Sequence, residues 1–247
     1  MKISLITVTY NSATTLSDTI ESVISQTYSH IEYIIIDGAS TDHTRQILDA
    51  YQQHITTVLS EPDLGIYDAM NKGLRMASGE IIGFLNADDM FSSVTAIEEV
   101  MLTFRANDQI DGVYADLYYV AKNNSDKIIR HWRSGRQRSF MSGWHPAHPT
   151  FYVRRAVYQR FGIFNIDLQL AADFELMLRF VEKNRISVTY LPTPLVKMRL
   201  GGVSNNSVWN ILKGNKECYK AFRMNGLPVT LFYAFLRLVP KLKQFFR

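Results

Sequence analysis

Residues 59–89 read LSEPDLGIYDAMNKGLRMASGEIIGFLNADD, and the fold follows from this stretch. A polar turn leads into a short amphipathic segment in which Ile66, Met70 and Leu74 recur at helical spacing. Gly79 breaks that pattern before a continuous apolar run, Ile81 to Leu85, which stops abruptly at Asn86, Asp88 and Asp89. A helix feeding a fully apolar strand is half of a βαβ unit, and such strands are buried on both faces of a parallel sheet. Acids at the carboxyl end of a buried strand stand where open α/β sheets bind ligands. Two adjacent carboxylates repel each other and lose hydration there unless a cation or hydrogen-bond donors offset the cost.

The same grammar repeats on the N-terminal side. Ile3 to Val8 is a short β-branched run followed by the polar turn Thr9-Tyr10-Asn11-Ser12, and Leu16, Ile20, Val23 and Ile24 give the next helical face. Tyr33 to Ile36 is a second strand, ended by Asp37-Gly38-Ala39-Ser40-Thr41-Asp42; Ile47, Leu48 and Tyr51 follow as a helix, and Val58-Leu59 as a third strand. Val94, Ile97, Val100, Met101 and Phe104 mark the helix after the Asp88 strand. Four strands alternating with helices predict a doubly wound, mostly parallel α/β sheet, with Asp37, Asp42, Asp88 and Asp89 on one edge. Strand-end Asp and Ser also cap helices, and Asp88 in particular stands where it could cap the 93–105 helix.

Beyond residue 105 the pattern loosens. Val113-Tyr114 and Tyr118 to Val120 read as strands, residues 121–140 as a polar, basic surface excursion, and 149–153 as a strand behind two prolines. Ala172 to Val181 reads as a helix, and Ile186 to Tyr190 and Leu195 to Met198 as two strands separated by Pro192 and Pro194. With 247 residues, 47% of them hydrophobic and 20% charged, the chain has the balance of a folded protein able to bury a full core. A lone Cys218 excludes an internal disulfide and a multi-cysteine zinc site. The N-terminus lacks a secretory pattern, and no apolar stretch reaches bilayer-spanning length.

Net charge is +4 but unevenly placed: residues 210–247 carry eight Lys/Arg against Glu217 alone, so the remainder is mildly acidic. A basic tail points to an anionic partner. Leu227, Leu231, Phe232, Phe235 and Leu236, bordered by Arg237, Lys241, Lys243 and Arg247, suit an in-plane helix on an anionic leaflet; packing against the body or a second copy is the rival reading. The division expected is a domain over 1–208, with halves 1–105 and 106–208, and a helical tail over 209–247.

Four segments in register, ITVTYNS, IDGASTDHT, the 59–89 stretch and AADFELMLR, resemble the family 2 glycosyltransferases of bacterial polysaccharide and O-antigen synthesis. The resemblance implies a GT-A fold and inverting transfer from a nucleotide sugar, UDP-linked by preference, to a lipid-linked saccharide. Thr9, Tyr10, Asn11, Asp37 and Asp42 are then expected around the nucleotide, with Asp68, Lys72 and Asn71 reaching the same cleft. Asn86, Ala87 and Asp88 occupy the family's Asp-x-Asp slot, with Asn at the first position. That places Mg²⁺ or Mn²⁺ on Asp88, with Asp89 next in line. Asp173 matches the acid of the family's Glu-Asp-x-x-Leu segment, Ala172 replacing its Glu, and becomes the base that deprotonates the acceptor; a helix-capping role is the alternative, and Glu175 the weaker choice. Trp144, His145 and His148 are expected at the acceptor, and Arg199 with the segment 201–206 as a clamp and lid over the diphosphate.

The implied location is cytoplasmic, peripheral on the inner face of the membrane through 227–247, with no nucleic-acid partner and with oligomerisation left open. Two other functions remain: a sugar nucleotidyltransferase, disfavoured because the first strand lacks a Gly-rich basic phosphate loop, and a non-catalytic glycan- or membrane-binding module, kept alive by Asn86 and Ala172.

Overall fold

The computed structural model describes residues 1–201, 208–230 and 233. Its first half follows the sequence pattern: β1 (Ile3–Thr9), α1 (Leu16–Ile24), β2 (Ile31–Asp37), α2 (Thr44–Ala50), β3 (Thr57–Ser60), α3 (Ile66–Met76), β4 (Ile81–Phe84), β5 (Met90–Phe91) and α4 (Ala96–Ala106). The strands β3, β2, β1 and β4 lie side by side and parallel. Successive residues of β1 and β2 feed opposite layers: Ile6, Val8, Ile34 and Ile36 join one apolar core, while Ile3, Leu5, Tyr33 and Ile35 join the other. This alternation is the two-residue period of a strand covered on both faces. Helix α3 packs directly on β1 and β2, where a Cβ on Gly73 would fall 2.5 Å from Ile6 Cγ2.

The second half adds β6 (Gly112–Ala121), β7 (Asn124–Trp132), β8 (Tyr152–Arg154), α5 (Arg155–Phe161), α6 (Ala172–Met177), β9 (Val188–Arg199) and α7 (Val208–Met224). The sheet order among the described residues is β3-β2-β1-β4-β8-β6-β9-β5, with β7 paired to β6 beyond β8. β9 runs parallel to β6, whereas β8 enters antiparallel between β4 and β6.

Several local expectations change. Residues 121–140 are not wholly an excursion: β7 pairs with β6 through a bulged register, and buried Asp116 fastens its end, accepting from the Ser134 amide at 2.8 Å and lying 3.0 Å from His131 Nε2. The strand foreseen at 149–153 is present but begins later, as β8, after a single 3₁₀ turn, His148–Thr150. Pro192 and Pro194 do not divide two strands, because the β6–β9 ladder absorbs them in a register shift between Ala115 and Leu117. The helix from Ala172 widens into a π-helical stretch, Leu178–Lys183.

Residues 209–224, assigned by the sequence to a tail, belong to α7, whose Cys218, Ala221 and Phe222 sit in the same apolar core as Phe174 of α6. Of the segment 201–206 only Gly201 is described, and of 227–247 only 227–230 and Tyr233, so the lid and the membrane-facing tail lie outside the described residues. Within the described residues no helix is long and apolar enough to cross a membrane.

Candidate active site

Three groups of side chains gather around the carboxyl ends of β1, β2 and β4. The first surrounds the turns after β1 and β2. Gly38 N–H donates to Thr9 O at 2.9 Å, which continues the β1–β2 ladder by one step. Asn11 holds a left-handed backbone (φ 51°), a conformation Asn tolerates well. Its Oδ1 accepts from the Thr41 and Asp42 amides at 2.9 and 3.4 Å. Asp42 in turn accepts from the Ala13 and Thr44 amides, at 3.1 and 2.9 Å, and bonding to Thr44 holds its carboxyl below the usual range. Asp37 is 1% exposed, and its oxygens accept from Ser40 and from Ser60 Oγ at 2.7 Å. Asn11, Asp37 and Asp42 therefore lace the two turns together. The open surface they support is Tyr10, 62% exposed, beside Gly38 and Asp63; a Cβ on Gly38 would lie 3.4 Å from the Tyr10 ring and 2.5 Å from Asp63 Oδ2. Thr9 Oγ1 is buried there without a hydrogen-bond partner.

The loop 61–65 borders this surface and is tied to α3. Lys72 Nζ pairs with Glu61 at 2.8 Å and donates to Pro62 O at 2.7 Å, while Asp68 accepts from the Leu64 amide at 3.1 Å. Asn71 does not face this loop: it is buried and exchanges hydrogen bonds with the Phe164 backbone at 2.9 and 3.0 Å.

The second group is the turn Asn86–Asp89. Asp89 is fully buried, its Oδ2 accepting from Asn86 Nδ2 at 3.3 Å and its backbone carbonyl from Thr19 Oγ1 at 2.7 Å. Burial, and then the neighbouring Asp88 charge, push its carboxyl well up; burial also raises Asp88, against the pull of Arg199. Thr95, not Asp88, stands at the N-terminus of α4, so the capping alternative for Asp88 fails. Arg199 is 7% exposed and bridges Asp88 O, at 2.9 Å, to the Asp18 carboxylate. It buttresses the turn, and clamping a diphosphate would require it to leave both partners.

A divalent cation is implied at this turn, and the residues fit one. Asn86 Oδ1 and Asp89 Oδ1 are buried oxygens without a hydrogen-bond partner, beside the partly exposed Asp88. Hard oxygen donors of this kind suit Mg²⁺ or Mn²⁺, which keep water and substrate phosphates among their ligands and need few from the protein. Among the described residues no cluster of three or more His, Cys, Asp or Glu forms a closed metal cage.

The third group centres on Asp173, the second residue of α6. Tyr67 Oη donates to its Oδ1 at 3.1 Å. His148 lies close enough for the Asp173 charge to oppose the fall in its pKa that burial causes, and its ring stands 6.0 Å from both Phe84 and Phe164. Phe84 ends β4, two residues before Asn86, so His148 links the two acidic groups. The amides of Leu170 and Ala171, leading into α6, are held by Glu217 of α7 at 2.7 and 3.0 Å. Glu175 is 4% exposed and engaged by Arg179 at 3.0 Å and Asn225 at 2.9 Å, which removes it as a competitor for the base.

Two residues expected at the acceptor have partners of their own. Trp144 is 4% exposed, donates to Ser134 O at 2.7 Å and packs against Tyr114 and Phe140, so it offers no open ring face to a sugar. His145 stands edge-on to Trp132 and Phe174, with Nδ1 2.9 Å from Pro146 O. Tyr67, Asp18 and Glu217 had no role in the sequence reading. Tyr67 carried one signal, its place in the 59–89 stretch off the Ile66 face, whereas Asp18 and Glu217 are identifiable only through their partners.

This arrangement, a mostly parallel sheet with an acid turn after β4 and a carboxylate on a facing helix, defines a GT-A-like transferase. The chain belongs to glycosyl transferase family 2, whose pattern matches residues 4–164. A Mycobacterium tuberculosis "PGL/p-HBAD biosynthesis glycosyltransferase" is 26% identical over 243 residues, covering 96% of this chain and 91% of that protein. Among solved structures, Staphylococcus aureus TarS 1–349 in complex with UDP-GlcNAc superposes with a TM-score of 0.70 at 19% identity, covering 98% of this chain and 73% of that one. The Pyrobaculum calidifontis mannosyltransferase PcManGT, in complex with GDP-Man and Mn²⁺, gives 0.68 at 15% identity, with 97% and 68% covered. The protein is a glycosyltransferase.

Proposed function

We propose that this enzyme transfers a hexosyl or N-acetylhexosaminyl group from a UDP-sugar, with inversion, to a saccharide on a lipid carrier in surface-polysaccharide synthesis. The observation that carries the reading is the Tyr67–Asp173–His148 cluster, joined through Phe84 to the Asn86–Asp89 turn. The nucleotide base rests against Tyr10 and Asp63 on the surface that Asn11, Asp37 and Asp42 hold in shape. Asp88, with Asn86 beside it, holds Mg²⁺ or Mn²⁺; bound there, the ion supplies neutralisation of charge on the diphosphate oxygens. Asp173 removes the acceptor hydroxyl proton as that oxygen bonds to the anomeric carbon and the bond to the diphosphate breaks on the opposite face. His148, neutral in its apolar surroundings, lines the acceptor side without adding a competing charge.

The UDP preference draws support from TarS, whose structure contains UDP-GlcNAc, and the use of a metal from PcManGT, whose structure contains Mn²⁺. The lipid-linked acceptor and the inner membrane face draw support from α7. There Trp209 and Leu212 are 80% and 55% exposed beside Lys213, Lys216 and Lys220, a mixture suited to an anionic leaflet.

The test is UDP release from a panel of UDP-sugars in Mn²⁺, with and without EDTA. Asp173→Asn abolishes turnover and leaves UDP affinity within about twofold, since the carboxylate acts in the transition state rather than on the bound nucleotide. Equal loss of both would remove Asp173 from the base role, and EDTA-insensitive release would remove the cation.

A further inference from the structure

We propose that Tyr67 is a positioning residue for the base: its phenol donates to one oxygen of Asp173 and fixes the carboxylate in place, leaving Oδ2 to take the acceptor proton. The inference rests on the assignment of Asp173 as base and goes beyond it.

Three observations carry it. The Tyr67 hydroxyl is 3.1 Å from Asp173 Oδ1, a contact between residues 106 positions apart that only the fold creates. Tyr67 is 9% exposed and stacks on Phe164 at 5.7 Å, so the phenol does not swing with solvent. Its oxygen also faces the Asp173 backbone, so the same hydroxyl meets both the side chain and the start of α6. Burial, reinforced by the Asp173 charge, pushes ionisation of the phenol well up, and Tyr67 stays a neutral donor throughout the working range.

The remaining charged groups around Asp173 do not substitute for it. His148, on the turn before β8, is kept from protonating by burial. Glu217, from α7, is an anion whose carboxylate serves the Leu170 and Ala171 amides. Glu175, on the same helix, is paired with Arg179. Tyr67 is therefore the neutral donor that the structure places on the Asp173 side chain. Tyr67 is the second residue of α3, whose Asp68 and Lys72 fasten the 61–65 loop, so one helix supports both that loop and the base.

The experiment uses the full chain, isotope-labelled at the aspartate carboxyl carbons, with the Asp173 resonance identified by its loss in Asp173→Asn. Tyr67→Phe keeps the ring and its stacking, and its melting temperature confirms that the fold persists. Removing a hydrogen bond to a charged group moves the Asp173 titration midpoint upward by about one pH unit. The acid limb of UDP release from UDP-GlcNAc moves the same way, kcat falls about tenfold and KM for the nucleotide sugar holds. An unmoved midpoint overturns the inference, and so does a fall in kcat with an unmoved acid limb, which would make Tyr67 a substrate contact or a purely structural cap. If Asp173→Asn still releases UDP, the base assignment itself fails; an inactive Asp173→Asn with an unmoved midpoint sinks the Tyr67 inference alone.

Discussion

Glu217 offers the sharpest test of how the molecule is built. The sequence places it in a basic tail, yet its carboxylate is 8% exposed and accepts from two consecutive amides, Leu170 at 2.7 Å and Ala171 at 3.0 Å. Those amides lead directly into the helix that carries Asp173. An anion there also meets the positive end of the helix dipole. Each charge-assisted hydrogen bond contributes roughly 1.5–3 kcal/mol, and truncation leaves one buried and one partly buried donor unpaired. The two bonds share one carboxylate and are not additive, so Glu217→Ala should destabilise the protein by about 3 kcal/mol. For a domain of this size that lowers Tm by roughly 6–12 °C. Glu217→Gln keeps an acceptor and loses only the charge, so its cost should be about 1 kcal/mol. Urea denaturation of the full chain, followed by tryptophan fluorescence, measures both. Equal effects below about 0.5 kcal/mol would show that α7 does not hold α6, and that the tail is the separable element its composition suggests.

Gly73→Ala trades better helix propensity, about 1 kcal/mol, against a Cβ placed 2.5 Å from Ile6 Cγ2 and 3.4 Å from Ile36 Cγ1. Overpacking costs typically 1–3 kcal/mol, so the variant should be less stable by about 1 kcal/mol; a raised melting temperature would contradict the close approach of α3 to β1. Glu32 carries a pH dependence far from the active site. Burial pushes its carboxyl up, but hydrogen bonds from Lys2, Ser4 and Ser78 together outweigh burial and bring it down to about 2. A folded value below the unfolded one means the stabilisation is present above pH 4.5 and is lost as the pH falls toward 2. Glu32→Gln should therefore lower stability at neutral pH and flatten its decline across that window, and an acid-unfolding curve parallel to the parent's would refute the assignment.

The parallel half of the sheet was legible because it is written in local periodicity. Apolar runs from Ile3, Tyr33 and Ile81 can only be buried strands, and each ends in a turn rich in Asn, Asp and Ser. The same locality hid the partners of the side chains. Asn11, Asp37 and Asp42, expected around the nucleotide, have a second role that the sequence did not announce: the turns they occupy bring serine and threonine donors to them and are laced together through them. Trp144 was expected at the acceptor from the family resemblance, whereas β6 and the 140–142 turn enclose its ring. The prolines at 192 and 194 broke the apparent strand because local rules cannot see a bulge that a neighbouring strand accommodates.

By itself the chain determined which segments are strands, where each stops, and that the acids cluster at one edge, since strand period and helix period are properties of neighbouring residues. Tertiary structure alone decided which donors and charges meet each of those acids. It brought Tyr67 to Asp173, Arg199 to Asp88 and Glu217 to α6 across 106, 111 and 46 positions. A carboxylate's function depends on the donors and burial around it, and those neighbours come from distant segments that only folding brings within hydrogen-bond reach.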